Sequence, residues 1–389
     1  MLATVQDGVT AVPLLIVAAV AVFVRAPPHL AAAEPFTYSV EVGEKEVAFD
    51  SSRDGCALLD IPDEPLRAFR RSDGALVGIA SHSTTRIFLI ATDGTFTRDC
   101  RPALESALDP DPEAFRYKTW IGATWTDDGE RIVALADNEF RGNEIAGECP
   151  YATYYQCWYN AVVLVQSDDG GRTFTVATET RPVASATFGN QAHPGIPRGF
   201  FGPSNIVARD DGYRYAVIYT TGGGDQPAGT CLFRSSAVAD SDAWQYWTGQ
   251  AFVPSTYDPY HDTSGRPPCR PIAGLPGRVS SIVEYGGGFI ATFAAQGADE
   301  AIGKIGVTYS TDLLHWTDYE VILTPQMIWS KTCGEPRYAY PSIVDLTSQD
   351  RNFGVIGDAP YLYLTEAAVE RCAMTTDRNL VRYPLVFRK

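Results

Sequence analysis

One sentence of sequence recurs five times along this chain, and it restricts the fold more than any other feature. It consists of an apolar run, a tight turn built on Gly or Asp, and a second apolar run. The copies are "RAFRRSDGALVGIASH" (67–82), "IGATWTDDGERIVALADNEF" (121–140), "SNIVARDDGYRYAVIYT" (204–220), "RVSSIVEYGGGFIATFAAQ" (278–296) and "YPSIVDLTSQDRNFGVIGDAPYLYLTE" (340–366). Short apolar runs joined by Asp-Gly or Gly-Gly are hairpins, because those residues accept the positive φ of a tight strand reversal. After each copy comes a further strand pair: "RIFLIATDGTF" (86–96), "AVVLVQSDDGGRTFTV" (161–176), "CLFRSSAVADSDAWQYW" (231–247) and "IGVTYSTDLLHWTDYEVIL" (305–323). The fifth pair is half missing. The chain ends in "LVRYPLVF" (380–387), and a spare strand at "FTYSVEVGEKEVAF" (36–49) stands ready to complete it.

Five four-stranded antiparallel units, the last completed by strands from both termini, predict an all-β fold, a five-bladed β-propeller closed by its ends. Closure removes the unpaired edges that an open array would expose. The propeller is expected over 34–389, with 1–33 as a signal peptide or anchor. "AVPLLIVAAVAVFV" (11–24) is shorter than the roughly 20 residues of a bilayer span, and Ala31 to Ala33 offer a small-residue cleavage site. A secreted or periplasmic protein, free of the membrane after cleavage, is therefore expected. The eight cysteines contain no CxxC spacing, which points to disulfides in an oxidising compartment; Cys149 with Cys157 is the one pairing that spacing suggests.

Charge excludes some partners. Acidic residues outnumber basic ones 47 to 31, for a formal net charge of -16. No long Lys/Arg run interrupts that acidity, so nucleic acid is not an expected partner. The five histidines show no paired spacing, and no metal or other cofactor is expected. "TTGGGD" (220–225) lacks the strand-to-helix context of a phosphate cradle and reads as a loop. A monomer is expected.

"SDDGGRTF" (167–174) is a motif of another kind. It follows an apolar strand and is echoed by "YSTDLLHW" (309–316) and "TDGTF" (92–96). Recurrence in several units argues for a structural turn: Asp169 accepts backbone N–H groups, Gly171 takes a left-handed conformation, and Phe174 packs between units. Ser167-x-Asp169-x-Gly171-x-Thr173-Phe174 resembles the Asp-box of sialidases and related propellers. The five-blade count and "STDLLHW" resemble the arabinanase and furanosidase clan of glycoside hydrolases.

Up-and-down topology places the long connections (97–119, 141–160, 177–202, 248–277, 324–338 and 367–379) on one face, with the cysteines in or beside them. Polar residues reaching a central funnel from that face come from the start of each first strand or the end of each second one. They are Asp60, Asp63, Arg67 and His82 in the first unit, Trp120 and Glu139 in the second, and Arg198 and Asn205 in the third. Arg278 belongs to the fourth, and Tyr338, Tyr340 and Glu366 to the fifth. Facing carboxylates are the equipment of glycoside hydrolysis, one as acid and the other as base or nucleophile. The resemblance implies an Asp at the start of the first inner strand and a Glu on a later blade. Asp63 fits the former, with Asp60 its rival; Glu139 is the candidate acid, although it stands on a second strand. The chain is thus expected to be a secreted glycoside hydrolase acting on a carbohydrate. The alternatives are a non-catalytic glycan-binding propeller or a sialidase-like enzyme. Arg67, whose "RAF" resembles the sialidase Arg-Ile-Pro element, would in that case join Arg198 and Arg278 around an acidic sugar.

Overall fold

The computed structural model describes residues 38–151, 155–176, 181–187, 196–262, 265–296, 302–330, 333 and 336–388, all within one compact unit. The expected leader at 1–33 lies outside them. The fold is all-β, and the described helices are single turns of three or four residues.

Each copy of the repeat forms the hairpin it predicts. In the first sheet, Arg67–Arg70, Leu76–Ile79, Ile87–Ile90 and Phe96–Arg98 pair in order. The fourth copy gives an equivalent sheet of Arg278–Tyr285, Gly288–Ala295, Lys304–Ser310 and Glu320–Leu323. The second and third copies merge into one ten-stranded sheet. The join is a short parallel pairing, Tyr159 opposite Arg198 and Asn160 opposite Gly199. Gly199 permits it: φ is 119°, and a Cβ there would stand 1.9 Å from the Asn160 carbonyl oxygen. In the last sheet Arg337–Val344, Tyr361–Glu370 and Ala373–Arg388 pair in order, and Ser39–Val42 and Glu46–Phe49 both add to the final strand. The spare N-terminal strand therefore lies where the sequence suggested.

One expected loop is not a loop. Residues 367–379 continue the last hairpin, which reverses at Arg371 and Cys372 with φ of 50° and 68°. Two consecutive positive-φ residues make a tight strand reversal, here without the Gly or Asn that would have announced it.

The first strands of successive units adjoin. Asn205 exchanges both amide hydrogen bonds with the Ile282 backbone, and the Ile343 N–H donates to Ser281 Oγ at 3.3 Å. Apolar side chains fill the space between sheets. Phe69 and Val77 of the first sheet pack with Ile121, Ala134 and Val165 of the second copy, and Phe174 closes that cluster.

Phe174 is fixed by the turn before it. Asp169 accepts hydrogen bonds from the N–H groups of Arg172 and Thr173 (both 2.9 Å) and from the hydroxyls of Thr173 (2.6 Å) and Ser167 (2.7 Å). Burial pushes the Asp169 carboxyl up, but these donors outweigh it and bring its pKa down to about 2. Gly171 has φ of 76°, and a Cβ there would meet the Phe69 ring at 2.6 Å. Asp312 repeats the arrangement, accepting from Leu314 and His315 N–H beside the buried Trp316. Asp169→Ala is therefore expected to cost about 1–2 kcal/mol of stability, read as a lower melting temperature with activity per folded molecule intact. Lost turnover at an unchanged melting temperature would give Asp169 a different role.

Four disulfides, Cys56–Cys100, Cys149–Cys157, Cys231–Cys269 and Cys333–Cys372, staple the connections at the opposite ends of the strands. No described cysteine is free.

Candidate active site

The stapled ends surround a cleft of about 850 Å³ whose wall draws on the segment before the first copy of the repeat and on the other four copies. Asp63 and Glu64 enter it from the segment before the first strand, and Trp120, Glu139 and Arg141 from the second copy. Tyr219 comes from the third copy, Arg278 and Lys304 from the fourth, and Tyr340 and Arg378 from the last sheet.

Asp63 is gripped from three directions. The Arg378 guanidinium pairs with Oδ1, the Tyr340 hydroxyl donates to the same oxygen at 3.3 Å, and His82 Nε2 stands 3.8 Å from Oδ2. Tyr340 reaches it through a bulge in Arg337–Val344, between the pairs Ala339–Thr365 and Ser342–Tyr363, where its own φ is 57°. A left-handed non-glycine residue is strained, and a bulge is a common device for re-aiming a side chain. Burial pushes the Tyr340 phenol well above its ordinary range, and Asp63 adds to that, so the hydroxyl remains a donor. Burial lowers the His82 pKa, against the pull of Asp63, and its ring stands edge-on to Trp120 at 5.5 Å.

Glu139 projects from Ile132–Arg141 on the same strand face as Asp137 and Arg141. Burial raises its pKa to about 7 although Arg141 Nη2 donates to it at 2.5 Å. The Arg141 guanidinium also lies over Trp120 (5.6 Å) and Trp158 (5.0 Å). Asp137 sits deeper and accepts the Gly202 N–H at 2.9 Å; burial lifts its pKa to about 6. Glu64 is raised well above the carboxylate range, first by burial and then by Asp137 and Asp63. A carboxyl that keeps part of its proton at neutral pH, Glu139, and a second carboxyl gripped by a cation, Asp63, thus share one cleft, which is equipment for acid–base chemistry.

Sequence reasoning missed Glu64, Asp137, Arg141 and Arg378 as members of this site. The stripe Asp137-x-Glu139-x-Arg141 is visible at strand period, whereas Arg378 was hidden by reading its segment as a loop.

The remaining sequence candidates lie elsewhere. Asp60 is buried against Arg98 at 2.9 Å and accepts the Cys56 N–H at 3.0 Å, away from the cleft wall. Arg67 is only 2% exposed and donates to the carbonyls of Gly122, Pro203 and Ser280 at 2.5, 3.0 and 2.7 Å. Arg198 holds the carbonyls of Thr221 and Gly222. Asn205 is committed to Ile282, as above. Tyr338 donates to Glu366 at 2.5 Å, and Lys45 pairs with the same carboxylate. The expected cluster of Arg67, Arg198 and Arg278 is therefore not assembled, because two of its members satisfy backbone carbonyls. Among the described residues, no group of three His, Cys, Asp or Glu side chains is placed to hold a metal. No described helix is long and apolar enough to cross a membrane.

No protein-family model and no curated protein matches the chain. Solved structures similar to it include a GH43_1 enzyme from Xanthomonas citri, at 14% identity over 88% of this chain and 91% of that one, with a TM-score of 0.49. An exo-1,5-alpha-L-arabinanase from a bovine ruminal metagenomic library is 11% identical over 85% and 97% of the two chains, TM-score 0.48. A thermostable family-43 glycoside hydrolase is 10% identical over 92% and 96%, TM-score 0.46. At these scores and identities, the likenesses assign neither residue roles nor a substrate to this chain.

Proposed function

We propose that the chain is an exported five-bladed propeller that hydrolyses glycans, with Glu139 as general acid and Asp63 as base or nucleophile. Support for the propeller comes from the order of contacts between first strands and from the shared sheet of the N- and C-terminal strands. The turn at 167–174 is its Asp-box. Export is supported by four disulfides in a chain whose sequence opens on an apolar segment.

The observation that carries the hydrolase reading is the meeting of Asp63 and Glu139 in one cleft, with Glu139 lifted to about 7. Near neutrality Glu139 keeps much of its proton. It can give that proton to the glycosidic oxygen as the C–O bond breaks. Asp63 then takes the proton of the attacking water or bonds to the anomeric carbon. Tyr319 and Trp329, exposed in the cleft wall, supply apolar faces on which sugar rings stack.

The test is a screen of arabinan, galactan, fructan and sialylated substrates, with products resolved by chromatography and kcat/KM followed against pH. Cleavage should fall as pH rises through about 7, where Glu139 loses its proton. A profile that stays flat across that value would remove Glu139 from the acid role.

A second reading, a glycan-binding propeller without catalysis, is favoured by one observation. Both carboxylates are already engaged by arginines, Asp63 by Arg378 and Glu139 by Arg141. Tight binding without cleavage of any of these glycans would support it.

A further inference from the structure

Two of the four cations that line the cleft are committed. Arg141 is bound to Glu139 and Arg378 to Asp63. The opposite wall differs. The Arg278 side chain makes no hydrogen bond or close ion pair with any described residue, although its charge favours the ionised form of the buried Asp137 carboxyl. Its guanidinium lies instead against the rings of Phe201 and Tyr219, at 5.2 and 5.3 Å. Lys304 likewise has no carboxylate partner among the described residues. Both line the cleft from the same end of one sheet: Arg278 pairs with Ala294 and Lys304 with Ala295, on either side of the strand Gly288–Ala295 and one residue out of line with each other. Two strand spacings separate such positions by about 10 Å. Tyr319 and Trp329, 46% and 44% exposed, line the same cleft, and Tyr319 packs edge-on against Phe293 of the strand between the two cations.

A guanidinium held between rings keeps its in-plane donors free and fixed in direction, which suits a planar or tetrahedral anion. In a chain of net charge -16, two cations in one cleft without a close carboxylate partner among the described residues are a local exception that an anionic ligand would need. We infer that this wall receives a negatively charged substituent of the glycan, a carboxylate, sulfate or phosphate, with Arg278 as the main donor and Lys304 as the second cation. The inference rests on the glycan reading above and narrows its substrate to acidic glycans. It replaces the arginine cluster expected from the sequence with a pair from one sheet.

Binding decides it independently of cleavage. The full chain is titrated calorimetrically with oligogalacturonate, its methyl ester, a sulfated and a phosphorylated oligosaccharide with their uncharged counterparts, and an arabino-oligosaccharide. At least one charged probe should bind about tenfold more tightly than its uncharged counterpart, with affinity falling as salt rises. Which charged arm leads identifies the anion. Arg278→Gln and Lys304→Gln should each abolish most of that preference while leaving the uncharged counterpart's affinity unchanged, and Arg278→Lys should retain part of it. Lys304→Gln serves as the second variant should Arg278→Gln fold poorly. Equal or tighter binding of the uncharged probes overturns the inference. So does a charge preference that survives both Gln substitutions, or the absence of binding to every charged probe. Cleavage without charge preference sinks this inference and leaves the hydrolase standing; charge-dependent binding without cleavage does the reverse.

Discussion

Asp63→Asn and Glu139→Gln are each expected to lower glycan cleavage by about a hundredfold or more, while the folded state and glycan affinity survive. Each substitution keeps the side chain's shape and removes the oxygen that must give or take a proton. The two differ in their effect on stability. Asn at position 63 leaves the Arg378 guanidinium without its anionic partner, in a site where its side chain is only 16% exposed. Gln at position 139 replaces a carboxyl that burial already holds partly neutral near pH 7. Arg141 keeps Glu144 at 3.9 Å and the Trp120 and Trp158 rings. The melting temperature should therefore fall more for Asp63→Asn than for Glu139→Gln, and the latter should erase the alkaline limb of the pH profile. Cleavage within tenfold of wild type in either variant would displace that residue from the chemistry. For Glu139, the acid would then be sought at Glu64, whose carboxyl shares the cleft and is raised well above its usual range.

What could be read from the sequence was local. Hairpins at Asp73-Gly74, Asp128-Gly129 and Asp211-Gly212 follow from turn residues between apolar runs, and the turn at Asp169 from hydrogen bonds spanning four residues. Asp63 and Glu139 were visible as carboxylates at strand ends facing the long connections. Glu64 was not, because nothing in a local pattern tells that two adjacent acids both reach the same cleft. Arg378 was missed for a similar reason, since its hairpin reverses at Arg371 and Cys372 rather than at glycine. Arg67 was read as a ligand-binding residue because it stands at the start of the first strand facing the long connections and its "RAF" resembles the sialidase Arg-Ile-Pro element. Its true partners lie 55, 136 and 213 residues away, beyond any local pattern.

Removing Arg67 is expected to damage the fold more than any other single change considered. The strand Lys118–Trp125 carries a bulge at Gly122, and Arg278–Tyr285 another at Ser280, as the register shifts show. A bulge leaves a residue outside the ladder, so its carbonyl needs another donor. In the third copy, Pro203 falls between the paired segments Arg198–Phe201 and Val207–Ala208. Arg67 donates to all three carbonyls from the first sheet and so ties four copies of the repeat together. Burial depresses its pKa to about 9, partly offset by Glu64, which leaves it charged at neutral pH. Arg67→Met fills much of the volume and donates to none of the three. Each orphaned buried carbonyl costs about 1–3 kcal/mol, against a total stability of roughly 5–15 kcal/mol. The variant should either fail to fold or melt well over ten degrees below wild type, by about 2–4 °C for each kcal/mol lost. Arg67→Lys, which keeps the charge but reaches fewer carbonyls, should fall between. Glycan affinity, measured on whatever fraction remains folded at low temperature, should be close to wild type. An Arg67→Met protein that melts like wild type yet no longer binds glycan would return Arg67 to the ligand-binding role that its sequence position suggested.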